Sequence, residues 1–208
     1  MPVGGASLLM RLVDRFASFH RSKKPPVVIV DADDGQTPRA VDVLLPGARV
    51  VAQRHADGVA NALLLAQPML DETVLVTLGD LFLDGVLAAI DPRPALVLWP
   101  AGGAADTRQN FGVVSAADVV SHVVEKPRDC AGMQCGVGVY VLTQPAISCF
   151  RAAPVDARTG ERGITDGLQA AIDAGIDFRV IRFSGYYRNV NTRADVAAIE
   201  DYLARPVC

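Results

Sequence analysis

What this chain can become is limited first by the stretch Thr73-Val74-Leu75-Val76-Thr77-Leu78-Gly79-Asp80. Its apolar part is short and rich in Val and Leu, which reads as a strand buried on both faces. Gly79 permits a sharp turn where that strand stops. Asp80 is then delivered to the carboxyl end of the strand, where open α/β sheets collect their ligands. Two roles stay open for it on the residues alone. It caps a helix or closes a turn, or it holds Mg²⁺, which takes few protein carboxylates and fills its shell with substrate phosphate oxygens.

The rest of the pattern alternates around this strand. Leu8, Leu9, Leu12, Val13, Phe16 and Phe19 have helical spacing, with Ser7 placed to cap them. Val27–Val30 reads as a short strand after Pro25-Pro26, residues 31–39 as a polar loop, and Arg49–Ala52 as a weaker strand. Ala60–Ala66 reads as a helix, Leu83–Ile90 as a short helix, and Ala95–Trp99 as another buried strand. This alternation predicts a parallel sheet. Residues 102–109 then read as a loop, and Phe111–Ser115 and Val120–Glu125 as paired strands around a turn at residues 116–119. Gly138–Leu142 and Phe178–Phe183 read as strands, Ile164–Ala174 and Ala194–Leu203 as helices. Thr192 is placed to cap the last helix, with Asp195 completing a capping box.

Size and charge narrow the function. The 208 residues suggest one domain, and half of them are hydrophobic, enough for a sizeable core. The net charge of -3, with no basic run, argues against nucleic-acid binding but leaves a nucleotide substrate open. No apolar segment reaches membrane-spanning length, and the first residues lack the pattern of a secretory signal, so the expected location is the cytoplasm. Cys130, Cys135, Cys149 and Cys208 match no common zinc spacing and read as reduced thiols. His20, His55 and His122 are scattered and give no local support to a metal site or a Ser/His/Asp triad.

Two further motifs could carry chemistry. Glu125-Lys126-Pro127 closes a strand. It is either an exposed ion pair, or Lys126 is a point charge for a phosphate and Glu125 an acceptor for hydroxyls. Gln53 and Gly58 frame a loop before a helix. They form an ordinary loop, or Gln53 reads a nucleobase edge while Gly58 lets a flat ligand approach the backbone.

The order of these pieces resembles one family. Gln53 with Gly58 and Ala60, Leu78-Gly79-Asp80, Phe111-Gly112-Val113-Val114, Val124-Glu125-Lys126-Pro127, Gly138-Val139-Tyr140-Val141, Ile164-Thr165-Asp166, and Gly185-Tyr186-Tyr187 followed by Thr192 resemble the sugar-phosphate nucleotidylyltransferases. These include the glucose-1-phosphate thymidylyl- and uridylyltransferases and the mannose-1-phosphate guanylyltransferases. The resemblance runs from Pro2 to about Leu203. It implies a single nucleotidyltransferase-like domain over residues 1–208. Its α/β fold would be a Rossmann-like, mostly parallel sheet with helices on both faces, with a small sugar-binding β region inserted over about residues 102–142.

The implied reaction joins a nucleoside triphosphate to a sugar 1-phosphate, giving a nucleotide sugar and pyrophosphate. In the residues of this chain, Asp80 would be a Mg²⁺ ligand and Lys126 the phosphate-binding lysine. Gln53 and Gly58 would meet the base, and Gly112 and Glu125 the sugar. The resemblance also implies a first strand and a Gly-rich loop bearing an Arg, followed by a Lys, ahead of the segment matched by residues 1–5. The expected fold is therefore the family's with its first strand missing, which would leave neighbouring strands short of partners. Asn189 stands where the family has a second metal-binding Asp. Two readings follow. One is a transferase whose strand and loop are encoded upstream of Met1. The other is a non-catalytic relative that binds sugar phosphate or nucleotide, or pairs with an active homologue as a regulatory subunit. The resemblance leaves the base, the sugar and self-assembly open.

Overall fold

A computed structural model describes residues 2–3, 5–17 and 24–205. The chain begins with two two-residue strands, β1 (Pro2–Val3) and β2 (Ala6–Ser7), and helix α1 (Leu8–Phe16). The Ser7 hydroxyl accepts the Met10 N–H at 3.1 Å, which satisfies one of the orphan donors of the first turn. The expected extension of this helix to Phe19, together with His20 and Cys208, lies outside the described residues.

Strands β3 (Val27–Asp31) and β4 (Arg49–Gln53) pair in parallel and form a small sheet of their own. Helix α2 (Thr37–Leu44) connects them, although the sequence predicts a loop through Arg39. Pro38 lies in its first turn, where a missing N–H costs nothing, and Val41 is fully buried. Next come α3 (Val59–Ala66), β5 (Thr73–Thr77), β6 (Leu81–Leu87), β7 (Ala95–Trp99) and α4 (Ala104–Gln109). The chain continues with β8 (Phe111–Ala116), β9 (Val119–Glu125), β10 (Gln134–Thr143) and α5 (Gln144–Cys149). It ends with α6 (Ile164–Asp173), β11 (Arg179–Asn189) and α7 (Arg193–Leu203). Thr192 and Asp195 form the expected capping box on α7.

The main sheet runs β5-β10-β7-β11-β9-β8, with β6 on the far part of β11. β8 also pairs back onto β10 through Gln134–Gly136, so the strand pairings close on themselves. The expectation of a mostly parallel sheet is corrected here. Among the described residues only β3–β4 and β7–β11 pair in parallel, whereas β10 is antiparallel to β5, β7 and β8. The reason is positional: β10 lies between β5 and β7 and reverses direction against both.

Three other expectations change. β5 is half-buried rather than buried on both faces, because β10 is its one strand partner among the described residues. Of residues 83–90, read as a helix, 83–87 belong instead to β6 and 88–90 to no helix or strand; β6 pairs with β11 over seven residues from Leu81↔Asn189 to Leu87↔Phe183. The two backbones meet at Gly85 and Gly185, where a Cβ on either residue would come within 2.2 Å of the opposing backbone. Residues 104–109, read as loop, form α4, whose Asp106 carboxylate accepts the Gly103 N–H at 2.9 Å.

The core lies on both faces of the main sheet. Leu96, Leu98, Tyr140 and Leu142 point to one face and pack with residues of α3, α5 and α6. Ala95, Val97, Val139 and Val141 point to the other, with Leu12 and Phe16 of α1 and Leu81 of β6. This alternation along β7 and β10 is the period of two expected of strands, and helices cover both sides.

Candidate active site

The described site residues lie at strand ends. Asp80 sits in the turn between β5 and β6, and its carbonyl accepts the Val190 N–H at 2.8 Å. Its side-chain Oδ1 is buried and has no hydrogen-bond partner. Burial pushes the carboxyl above the ordinary aspartate value. A buried carboxylate oxygen without a partner is costly to hold, and Asp80 Oδ1 is one of two buried side-chain polar atoms without a partner among the described residues.

Glu125 ends β9 and Lys126 follows it. The Glu125 carboxylate accepts the Thr165 hydroxyl at 2.7 Å, which ties β9 to the first turn of α6. Lys126 Nζ lies 3.8 Å from Glu125, with both side chains largely exposed, a weak ion pair. The Lys126 backbone is left-handed, with φ of 43°. That is uncommon for a residue with a Cβ, and Pro127 restricts it further. Gly112 is on β8, and a Cβ there would meet Met133 Sδ at 2.5 Å and Pro127 Cγ at 3.1 Å. The glycine thus lets the segment after Lys126 fold close over β8.

Gln53 ends β4. Its Nε2 donates to the Asp57 carboxylate and to Gly58 O. With Ala52, Arg54, His55, Asp57, Asn61 and Leu65 it lines a cavity of about 460 Å³. Gly58 has φ of 98°, and a Cβ there would come within 2.2 Å of Arg162 O. The close approach that the glycine allows is made by the protein's own backbone before α6.

These pieces form one continuous chain of contacts. The Gln53–Gly58 loop touches the segment before α6, and Thr165 of α6 holds Glu125. The Lys126 N–H donates to Asn110 O at 2.9 Å. Asn110 reaches Asn189 through side chains, and Val190, next to Asn189, binds the Asp80 carbonyl. Asn189 itself is engaged: its Oδ1 accepts the Tyr187 hydroxyl at 2.7 Å and its Nδ2 donates to Asn110 Oδ1 at 2.6 Å. Thr165, Asn110 and Tyr187 are site residues that the sequence reading did not assign. Thr165 and Tyr187 were visible only inside the Ile164-Thr165-Asp166 and Gly185-Tyr186-Tyr187 motifs, and Asn110 carries no local signal. Among the described residues no cluster of three or more His, Cys, Asp or Glu forms a metal site. Cys130, Cys135 and Cys149 are free thiols, and burial pushes Cys135 up to about 11.

No protein-family model matches the chain. It is 32% identical over 163 residues to glucose-1-phosphate thymidylyltransferase of Streptomyces griseus, covering 72% of this chain and 43% of that protein. It is 30% identical over 193 residues to glucose-1-phosphate thymidylyltransferase of Streptomyces antibioticus, covering 83% of this chain and 51% of that protein. This chain belongs to the sugar-phosphate nucleotidylyltransferase family. It spans about half the length of these two curated relatives. The bifunctional protein GlmU of Methanocaldococcus jannaschii is 25% identical over 161 residues, 76% of this chain and 38% of that protein.

A crystal structure described as a glucose-1-phosphate thymidylyltransferase of Bacillus anthracis, in complex with a sucrose, superposes with a TM-score of 0.76. It covers all of this chain and 86% of that one at 18% identity, a likeness of fold. No helix among the described residues is long and apolar enough to cross a membrane.

Proposed function

We propose that this nucleotidylyltransferase relative transfers a nucleotidyl group from a nucleoside triphosphate to a sugar 1-phosphate, releasing pyrophosphate and forming a nucleotide sugar. The observation that carries the reading is the buried, unpartnered Asp80 Oδ1. It lies at the β5–β6 turn and is linked through β11 and Asn110 to the Glu125–Lys126 strand end. An oxygen of the sugar phosphate attacks the α-phosphorus, and pyrophosphate leaves from the opposite side. This displacement needs positioning and charge neutralisation rather than a protein nucleophile.

Asp80 fits Mg²⁺ as a single hard oxygen donor, with substrate phosphate oxygens completing the shell. Asn189 is not counted as a ligand, since both ends of its amide are engaged within the protein. When bound, Mg²⁺ supplies charge neutralisation on the phosphates. Lys126 adds a point charge toward the sugar phosphate. Glu125, its carboxylate held by Thr165, accepts sugar hydroxyls. Gln53 contributes the base side of the site: with Nε2 turned toward Asp57 and Gly58, its Oε1 remains an acceptor for a base N–H. The substrates named in the two Streptomyces relatives make thymidine triphosphate and glucose 1-phosphate the first pair to assay. The expectation extends to the cytoplasm as the place of work.

The test is pyrophosphate release by this chain with thymidine, uridine, guanosine, adenosine and cytidine triphosphates, each with glucose 1-phosphate or mannose 1-phosphate. Release that depends on Mg²⁺ and falls at least about 100-fold in Asp80→Asn is expected. Binding of both substrates with no release from any pair would overturn the transfer reading.

A further inference from the structure

We propose that Asn110 is a positioning residue that holds Lys126 and Asn189 in register with each other. The proposal deepens the transferase reading and rests on it for the role of Lys126 toward a phosphate. All four hydrogen-bonding groups of Asn110 are engaged. Its N–H donates to Asp106 O at 3.0 Å and Thr107 O at 3.3 Å, which ends α4. Its carbonyl accepts the Lys126 N–H at 2.9 Å. Its side-chain Nδ2 donates to Asp106 O at 2.8 Å. Its Oδ1 accepts Asn189 Nδ2 at 2.6 Å and lies 3.0 Å from the Tyr187 hydroxyl, whose single proton is shared with Asn189 Oδ1 at 2.7 Å. A residue needed only to finish a helix would use its backbone alone. Here the side chain reaches across to β11.

Two observations give this arrangement a purpose. Lys126 holds a left-handed backbone directly before a proline, a conformation that persists only where the surroundings fix it. Its one backbone donor is fixed by Asn110. The second is the polarity of the β11 cluster. Tyr187 is nearly buried, with its ring edge against Trp99, so its hydroxyl has a fixed place. With Asn110 Oδ1 facing Asn189 Nδ2, the Asn189 oxygen is turned to Tyr187. A reversed Asn189 amide would set two acceptor oxygens against each other. The Asn110 carbonyl therefore fixes the Lys126 backbone, and its side chain fixes the orientation of the Asn189 amide, next to the strand position that binds the Asp80 carbonyl.

The test compares the wild-type chain with Asn110→Ala, Lys126→Ala and the double variant. Without ligand, amide exchange followed by NMR is expected to show the Lys126 N–H exchanging at least about 10-fold faster in Asn110→Ala, with the β7 amides unchanged. With glucose 1-phosphate as the probe in calorimetry, Asn110→Ala is expected to weaken binding about 10-fold, and to cause no further loss in the Lys126→Ala background. A purely structural role would give losses that add, and that result overturns the proposal. Unchanged Lys126 exchange overturns it whatever the ligand does. If the wild-type chain binds no glucose 1-phosphate, the transferase reading falls, and the exchange measurement still decides whether Asn110 holds Lys126. Tyr187→Phe, which removes the hydroxyl shared between the Asn110 and Asn189 amide oxygens, gives the same pattern at smaller amplitude if Asn110→Ala does not fold.

Discussion

β3 and β7 are both five-residue apolar strands, Val27-Val28-Ile29-Val30-Asp31 and Ala95-Leu96-Val97-Leu98-Trp99, yet they end in different surroundings. Four residues of β7 are buried, and only Val30 of β3 is. The difference is in their neighbours. β7 lies between β10 and β11, with core on both faces. β3 has β4 as its single partner among the described residues. Apolar content makes a strand, but flanking strands and covering helices decide how much of it leaves water. The candidate site spans both regimes: Gln53 ends β4 of the small sheet, Asn189 ends β11 of the main sheet, and Asp80 and Lys126 lie in turns next to strands of the main sheet.

The contrast can be broken most sharply by truncating side chains on each side of it. Phe150, fully buried against α6, is expected to cost about 3–5 kcal/mol on Phe150→Ala, whereas half-buried Val28→Ala costs about 1 kcal/mol. Equal losses in chemical denaturation would show that the small sheet is as tightly packed as the main one. A second measure is hydrogen exchange. Amides of β3 and β4 are expected to exchange about 100-fold faster than those of β7 and β10, because a two-stranded sheet opens without the core. Matching protection would mean that the two sheets open as one unit.

The smallest effect concerns Asp80. Burial raises its pKa, so the folded state holds the proton more tightly than the unfolded chain. Protonated Asp80 is tolerated, and stability is lost as pH rises from the ordinary aspartate range through the raised folded value. Asp80→Asn removes that loss. Its melting temperature is expected to match wild type near the ordinary aspartate pKa and to exceed it by about 2–4 °C at neutral pH. A constant difference across that range would place the effect in packing rather than in charge. The same variant is expected to lose transfer activity, so stability and function pull in opposite directions at this turn.

Much of the candidate site was proposed from the sequence, and for identifiable reasons. Asp80 stands out because an apolar run ends in Gly79-Asp80, and Glu125-Lys126 because Pro127 stops a strand there. Ser7 and Thr192 were legible as caps because capping is local, set by residues three positions apart. Residues 83–90 were misread because Leu and Ala favour a helix locally, and only the seven-residue ladder with β11, about a hundred positions away, makes Leu81–Leu87 a strand. Asn110 left no trace, since its importance comes from Lys126, Tyr187 and Asn189, which the fold brings to it.

The sequence by itself determined the ordered motifs, and hence the family, along with the caps and the strand ends that carry charge. These depend on residues near one another in the chain or on their order along it. The tertiary structure decided the direction of β10, the exposure of β3 and β5, the strand state of β6 and the engagement of Asn189. Each of these depends on which distant backbone or side chain supplies a hydrogen-bond partner, and local composition does not specify that partner.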